Sequence, residues 1–287
     1  MARGLDHLVH AVRDLDAGAA LYRRLGFTVG ARNRHSWGTH NHVLQTPGFF
    51  VEILTLAEPD KLGEDGISRF FGRFNGAFIE RHDGLAMMIL ESRDAAADRD
   101  AFAAVDIAAS DVLRFEREGR RPDGSAVKVA FSLAFARCTP AADAGFAVCQ
   151  QHFPENFWNP AFQQHTNGVT AIAAAVLVAD NPSDYHIFLS AFSGVRSLQS
   201  TSSGVSAATP RGDIQIMDPQ AYESHFGHRP PSLDRGLRIA AMRFRTRDLG
   251  ACREALTAGD VAFAEHMGRL VVSAGEALGA TIVFEPA

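Results

Sequence analysis

One arrangement recurs along the chain, and it limits the available folds more than any other feature. The run Leu5-Asp6-His7-Leu8-Val9-His10-Ala11-Val12 reads as a strand, and Asp14-Leu15-Asp16 then opens a helix that Gly26 closes. Leu15, Ala19, Tyr22 and Leu25 fall on one side of that helix, the apolar stripe of a helix laid on a sheet. Three strand-like segments follow, starting at Phe27-Thr28-Val29, at residues 41–46 and at residues 49–56, with Thr46-Pro47-Gly48 turning between the last two. Weaker copies of this βαβββ order begin near Gly84, Gly168 and Gly236. First strands thus recur roughly every 70–85 residues, the mark of repeated supersecondary units.

The segments between copies are of different kinds. Residues 68–80 read as a helical insert with Phe70, Phe71, Phe74 and Phe78 sharing a face, as core or as the wall of a ligand pocket. Residues 153–166, rich in Pro, Asn, Gln and aromatics, divide the chain in half. Residues 197–208 read as a polar loop without regular structure.

Charge and composition exclude whole classes of function. A net charge of -5 on 287 residues argues against a nucleic-acid surface or an anionic membrane as partner. No apolar stretch reaches the ~18 residues of a bilayer span, and the start shows no secretory apolar region. Cys138, Cys149 and Cys252 are odd in number and widely spaced, so they make no disulfide framework. The expected compartment is the reducing cytoplasm. There is no GxSxG elbow, no P-loop and no GxGxxG after a strand, so no nucleotide cofactor is expected.

Four βαβββ units in this order resemble the vicinal oxygen chelate superfamily, which includes glyoxalase I and the extradiol dioxygenases. Residues 5–27 (LDHLVHAVRDLDAGAALYRRLGF), 34–42 (RHSWGTHNH) and 49–62 (FFVEILTLAEPDKL) are similar to its glyoxalase-like domain family. So, more specifically, are residues 149–158 (CQQHFPENFW) and 165–168 (HTNG). The resemblance implies an α+β fold in which four βαβββ units pair into two cup-shaped half-barrels. Residues 1–155 would carry the site, and residues 156–287 would form a degenerate pair serving as scaffold or lid.

The same resemblance picks out candidate residues. His7 falls on the first-strand metal-ligand position and Glu52 on the last-strand one, donor types that suit Zn, Ni, Mn or Fe(II). In the second unit these positions fall on Leu85 or Met87 and on Cys149 or Gln150, so two of the four expected ligands are missing. His152, just past that strand, is the candidate third ligand. The alternative is a metal-free polar pocket in which His7, Glu52, Gln150 and His152 hydrogen-bond a small molecule. The family match also falls on His35, Thr39 and Asn41, read with Gln150, Trp158, His165 and Asn167 as substrate-binding residues. His165 and Asn167 would close the cup mouth or simply form a turn.

Glu52 and Glu155 are the candidate proton-moving groups, Glu155 otherwise being a cap or a surface residue. His40 and His42 share a strand face and could pair on a metal or be solvated. Val169 and Leu237 stand where the third and fourth units would place histidines, which ranks a ring-cleaving dioxygenase low. Two functions stay open. One is a metal-assisted lyase, isomerase or hydrolase on a small oxygenated molecule. The other is a metal-free protein that binds or sequesters a small molecule, which the 21 Phe residues favour. The expected partner is a small-molecule ligand, with a homodimer left open.

Overall fold

A computed structural model describes residues 1–120 and 125–287. The first unit runs β1 (Leu5–Ala11), α1 (Leu15–Arg24), β2 (Asn33–Arg34), β3 (Thr39–Thr46) and β4 (Phe49–Leu56). A π-helical stretch, Ser68–Arg73, leads into α2 (Phe74–Arg81). The second unit runs β5 (Gly84–Glu91), α3 (Ala95–Ala103), β6 (Leu113–Arg120), β7 (Ala126–Ala136) and β8 (Gly145–Gln151). After the one-turn α4 (Pro154–Phe157), the third unit is β9 (Val169–Val178), α5 (His186–Ser193), β10 (Gln199–Thr201), β11 (Gly204–Ala207) and β12 (Asp213–Met217). Then come α6 (Pro219–Phe226) and the fourth unit: β13 (Arg238–Thr246), α7 (Leu249–Ala258), β14 (Ala264–His266), β15 (Arg269–Val272) and β16 (Thr281–Pro286).

The units pair through their first strands. Two eight-stranded sheets result, ordered β2-β3-β4-β1-β5-β8-β7-β6 and β10-β11-β12-β9-β13-β16-β15-β14. Within a unit the first and last strands run parallel, as β1 with β4, whereas β1 meets β5 antiparallel. This is the α+β vicinal oxygen chelate fold expected from the repeat. One local rule starts three of the four unit helices. In those three an Arg-Asp pair follows the first strand, and the aspartate of Asp14, Asp94 or Asp248 accepts from backbone N–H groups of the first turn. In the third unit Asn181 does this at the 3-10 turn that precedes α5.

Two local readings need correction, and one helix is added to them. Phe27-Thr28-Val29 is not a strand: the Thr28 N–H donates to His165 and Gly30 N–H to the Val43 carbonyl, so this segment spends its donors outside a ladder. Residues 197–208 are not a loop without structure but hold the β10–β11 hairpin, which pairs Thr201 with Gly204 at its tip. Gly204 sits there at φ 130, with the Ile216 carbonyl 2.0 Å from where a Cβ would stand. Residues 219–226, to which the sequence reading assigned no element, form α6; Asp218 as N-cap, Pro219 in the first turn and Gly227 at φ 77 are the signals that mark it.

The largest apolar core joins both halves, with Phe27 packing on Phe244 (5.2 Å between ring centres) and on Phe284 (6.1 Å). His10 reaches across as well, from Tyr22 OH to the Leu278 carbonyl. The opposite, inner face of each sheet carries its own smaller cluster. No helix among the described residues is long and apolar enough to cross a membrane.

Candidate functional site

The inner face of the first sheet surrounds a cavity of about 530 Å3, mouth included. Its wall is aromatic, with Trp37, Phe50, Phe71, Phe115, Phe131 and Phe157 prominent. A cavity of that volume suits a small molecule.

Strand alternation explains which polar groups enter it. On β4, Phe50 and Glu52 share a face; on β3, Asn41 and Val43 do. His7 lies beside Phe50 across the β1–β4 pair, and Val9 lies beside Glu52. The β1–β5 register slips between Leu5 and His7, a bulge at Asp6. Bulges re-aim side chains, and here Asp6 and His7 meet although they are neighbours in sequence. The His7 Nδ1 donates to Asp6 Oδ1 at 2.6 Å, and Gln151 Nε2 donates to Asp6 Oδ2 at 2.9 Å. The imidazole also stacks on Phe50 at 4.2 Å. With Nδ1 engaged, Nε2 is left as the acceptor, 4.0 Å from Glu52 Oε2.

Glu52 is held on its other side. Asn41 Nδ2 donates to Oε1, and Asn33 in turn donates to Asn41 Oδ1, which fixes the amide's orientation. Burial pushes the Glu52 carboxyl above the usual carboxylate range, against the pull of His7, Asn41 and Arg117. His35 Nε2 also lies 4.0 Å from Glu52 Oε1, while its Nδ1 bonds the Thr39 hydroxyl and its ring stacks on Trp37. Burial, then Arg117 and His40, lowers His35 to about 3, so it is neutral. Cys149 also faces the cavity, its thiol held well above its ordinary pKa by burial and by the nearby Asp6 and Glu52.

Of the residues singled out from sequence, His7, His35, Asn41 and Glu52 come together here, with Thr39 supporting His35. The others lie elsewhere. Gln150 turns to the helix side, where it accepts from the Ala95 N–H and donates to the Arg93 carbonyl. His152 bonds Ser132 Oγ at 2.8 Å, outside the cavity. Glu155 is exposed on α4. Trp158 packs behind Phe50 at 6.0 Å. His165 ties Thr28 to the Gln45 carbonyl, and Asn167 joins the Leu25 carbonyl to the Val169 N–H; both are braces. His40 and His42 point to the other side of β3, towards Glu58 and the Gly30 carbonyl.

The superfamily commonly uses divalent metals, so the donor set matters. His7 and Glu52 are adjacent, but His152 is not with them, and Cys149 replaces a hard ligand in the second unit. Among the described residues, no group of three His, Cys, Asp or Glu side chains could hold an ion. The residues as arranged do not fit a metal centre. Sequence reasoning passed over Asp6, Trp37 and Arg117. The Asp6 bulge leaves no sequence signal. For Arg117 the signal was present: Leu113, Phe115 and Arg117 alternate with Arg114, Glu116 and Glu118 along β6.

Comparison with known proteins adds the family. No curated protein matches the sequence. A hypothetical protein from Staphylococcus aureus has the same fold with a TM-score of 0.70 at 12% identity, over 99% of this chain and 100% of that one. A variant of 4-hydroxymandelate synthase from Streptomyces coelicolor gives 0.61 at 13% identity, over 99% of this chain and 92% of that one. A xylose isomerase-like TIM barrel/4-hydroxyphenylpyruvate dioxygenase fusion protein gives 0.54 at 15% identity; it covers all of this chain, which spans 49% of the fusion. Identities this low speak for the fold alone. A family model for the glyoxalase-like domain matches residues 5–192, more than half of the chain and every strand of the first sheet. The chain therefore belongs to the glyoxalase-like domain family of the vicinal oxygen chelate superfamily.

Proposed function

We propose that the first-sheet cavity binds a small oxygenated molecule and moves a proton on it, as an isomerase or lyase does. The observation that carries this is the Asp6–His7–Glu52 alignment, with His7 Nε2 and Glu52 Oε2 4.0 Å apart. That gap is too long for a direct hydrogen bond. It suits two groups that address neighbouring atoms of one bound molecule. His7, held by Asp6, takes a proton from a carbon beside a carbonyl. Glu52, whose carboxyl burial keeps closer to neutrality, gives one to the adjacent oxygen or carbon. The aromatic wall keeps bulk water from the intermediate.

The test is proton exchange. Small carbonyl and hydroxy compounds are incubated with the protein in D2O, and loss of the C–H signal is followed by proton NMR. The reading expects exchange that His7→Gln and Glu52→Gln each abolish. Running the protein as purified, after chelation and with added Zn or Mn shows whether an ion takes part. The second reading, a protein that only binds, is favoured by the aromatic wall. It predicts saturable binding without exchange.

A further inference from the structure

We infer that the ligand of this cavity carries a carboxylate, received by Arg117 with the indole N–H of Trp37. This rests on the cavity being a ligand site, as proposed above, and adds the class of molecule it takes.

Arg117 is the only cationic side chain lining the cavity among the described residues. Its one hydrogen bond there is a long one, 3.4 Å from Nη1 to the Glu118 carbonyl. No acidic side chain forms an ion pair with it among the described residues. This half-buried guanidinium presents a planar fork of donors that matches a carboxylate. Glu52 lies close enough to be felt by Arg117, but its oxygens already face Asn41 and His7.

Trp37 supplies the second, independent observation. It is 6% exposed, lines the same cavity, and its Nε1–H is buried with no partner. Buried donors are nearly always satisfied, and an unsatisfied one in a cavity wall points to a ligand acceptor. Phe115 packs edge-on to Trp37 at 5.1 Å and shares a strand face with Arg117, so both donors belong to one corner. One guanidinium and one N–H suit a monoanion; a phosphate dianion would call for further cations, and none lines the cavity. With the carboxylate in that corner, the adjoining atoms of the ligand extend over His35 towards Glu52 and His7. The aromatic wall then takes a flat or apolar remainder.

The test uses acid–amide pairs of one shape: acetate, pyruvate, benzoate and phenylacetate, each against its primary amide. Binding is read by titration calorimetry and by the Trp37 indole N–H resonance, assigned with Trp158→Phe. The expected result is at least one acid that binds about tenfold or more tighter than its amide and shifts the Trp37 resonance. Arg117→Gln should erase that preference, and Arg117→Lys should keep part of it. His7→Gln and Glu52→Gln should still bind the acid, so a failure of proton exchange is told apart from a failure of this inference. If no acid outbinds its amide, or if Arg117→Gln keeps the preference, the inference is wrong.

Discussion

The two sheets have the same strand order and the same pairing of units, but their inner faces are filled differently. In the second, α6 lies in the hollow. Tyr222 and Phe226 are fully buried there, and the Tyr222 hydroxyl donates to Thr281 on β16. Arg243, further along the same face, spends its fork on Glu285 and Gln215. In the first, the helical insert covers only part of the face. A cavity remains, with His7 and Glu52 apart, the Trp37 N–H unpaired among the described residues, and Arg117 holding only one long hydrogen bond. A repeat folded twice has therefore filled one concave side with a buried helix and kept a cavity in the other. Both hollows receive a helical insert after the last strand of the first unit of the pair, and what separates the two outcomes is how much of the face each insert fills.

The sharpest way to break this comparison is to exchange the roles experimentally. Glu52→Gln and His7→Gln should each lower proton exchange about a hundred- to ten-thousand-fold. Glu285→Gln in the second hollow should leave the rate unchanged. Equal losses from both hollows, measured by the same NMR assay, would defeat the division of labour. Stability should show the reverse order. Tyr222→Ala removes the plug and should cost about 3–5 kcal/mol in urea unfolding. Phe115→Ala, on the half-buried wall of the first hollow, should cost clearly less. Asp6→Asn keeps the shape but weakens the hold on His7, so about a ten- to hundredfold loss of rate with little loss of stability is expected.

Acid should loosen the first hollow. His35 is lowered to about 3 and His10, at the contact between halves, to about 4, both chiefly by burial. Between those values and ~6.5 the unfolded chain binds protons that the native state refuses, so stability falls as pH drops through that window. His35→Gln should flatten the slope between about pH 7 and pH 5. A slope unchanged in that variant removes His35 from the account. The smallest effects are expected from His152→Gln and Glu155→Gln, within about 0.5 kcal/mol of wild type and at full rate. If His152→Gln were as damaging as His7→Gln, the cavity would have been drawn around the wrong residues.

Much of this was legible in the residues. The four copies, the Asp14 cap and the turn at Pro47-Gly48 follow from local periodicity, because strand alternation and helix capping are short-range; the polar positions His7, Asn41 and Glu52 came from the resemblance to the glyoxalase-like family. Gln150 and Cys149 show where that stops. They are adjacent, and only the pleat decides that Cys149 enters the cavity while Gln150 turns to α3. Asp6 depends on a bulge, which is set by how β1 fits β5 some eighty residues away. Trp37 and Arg117 belong to opposite ends of one sheet, and only its curvature brings them to one corner. The sequence by itself determined the repeat and the strand faces, since each is written in spacings of a few residues, and its resemblance to known sequences gave the family. Tertiary structure alone decided which hollow stays open, because that depends on which distant segment packs into it.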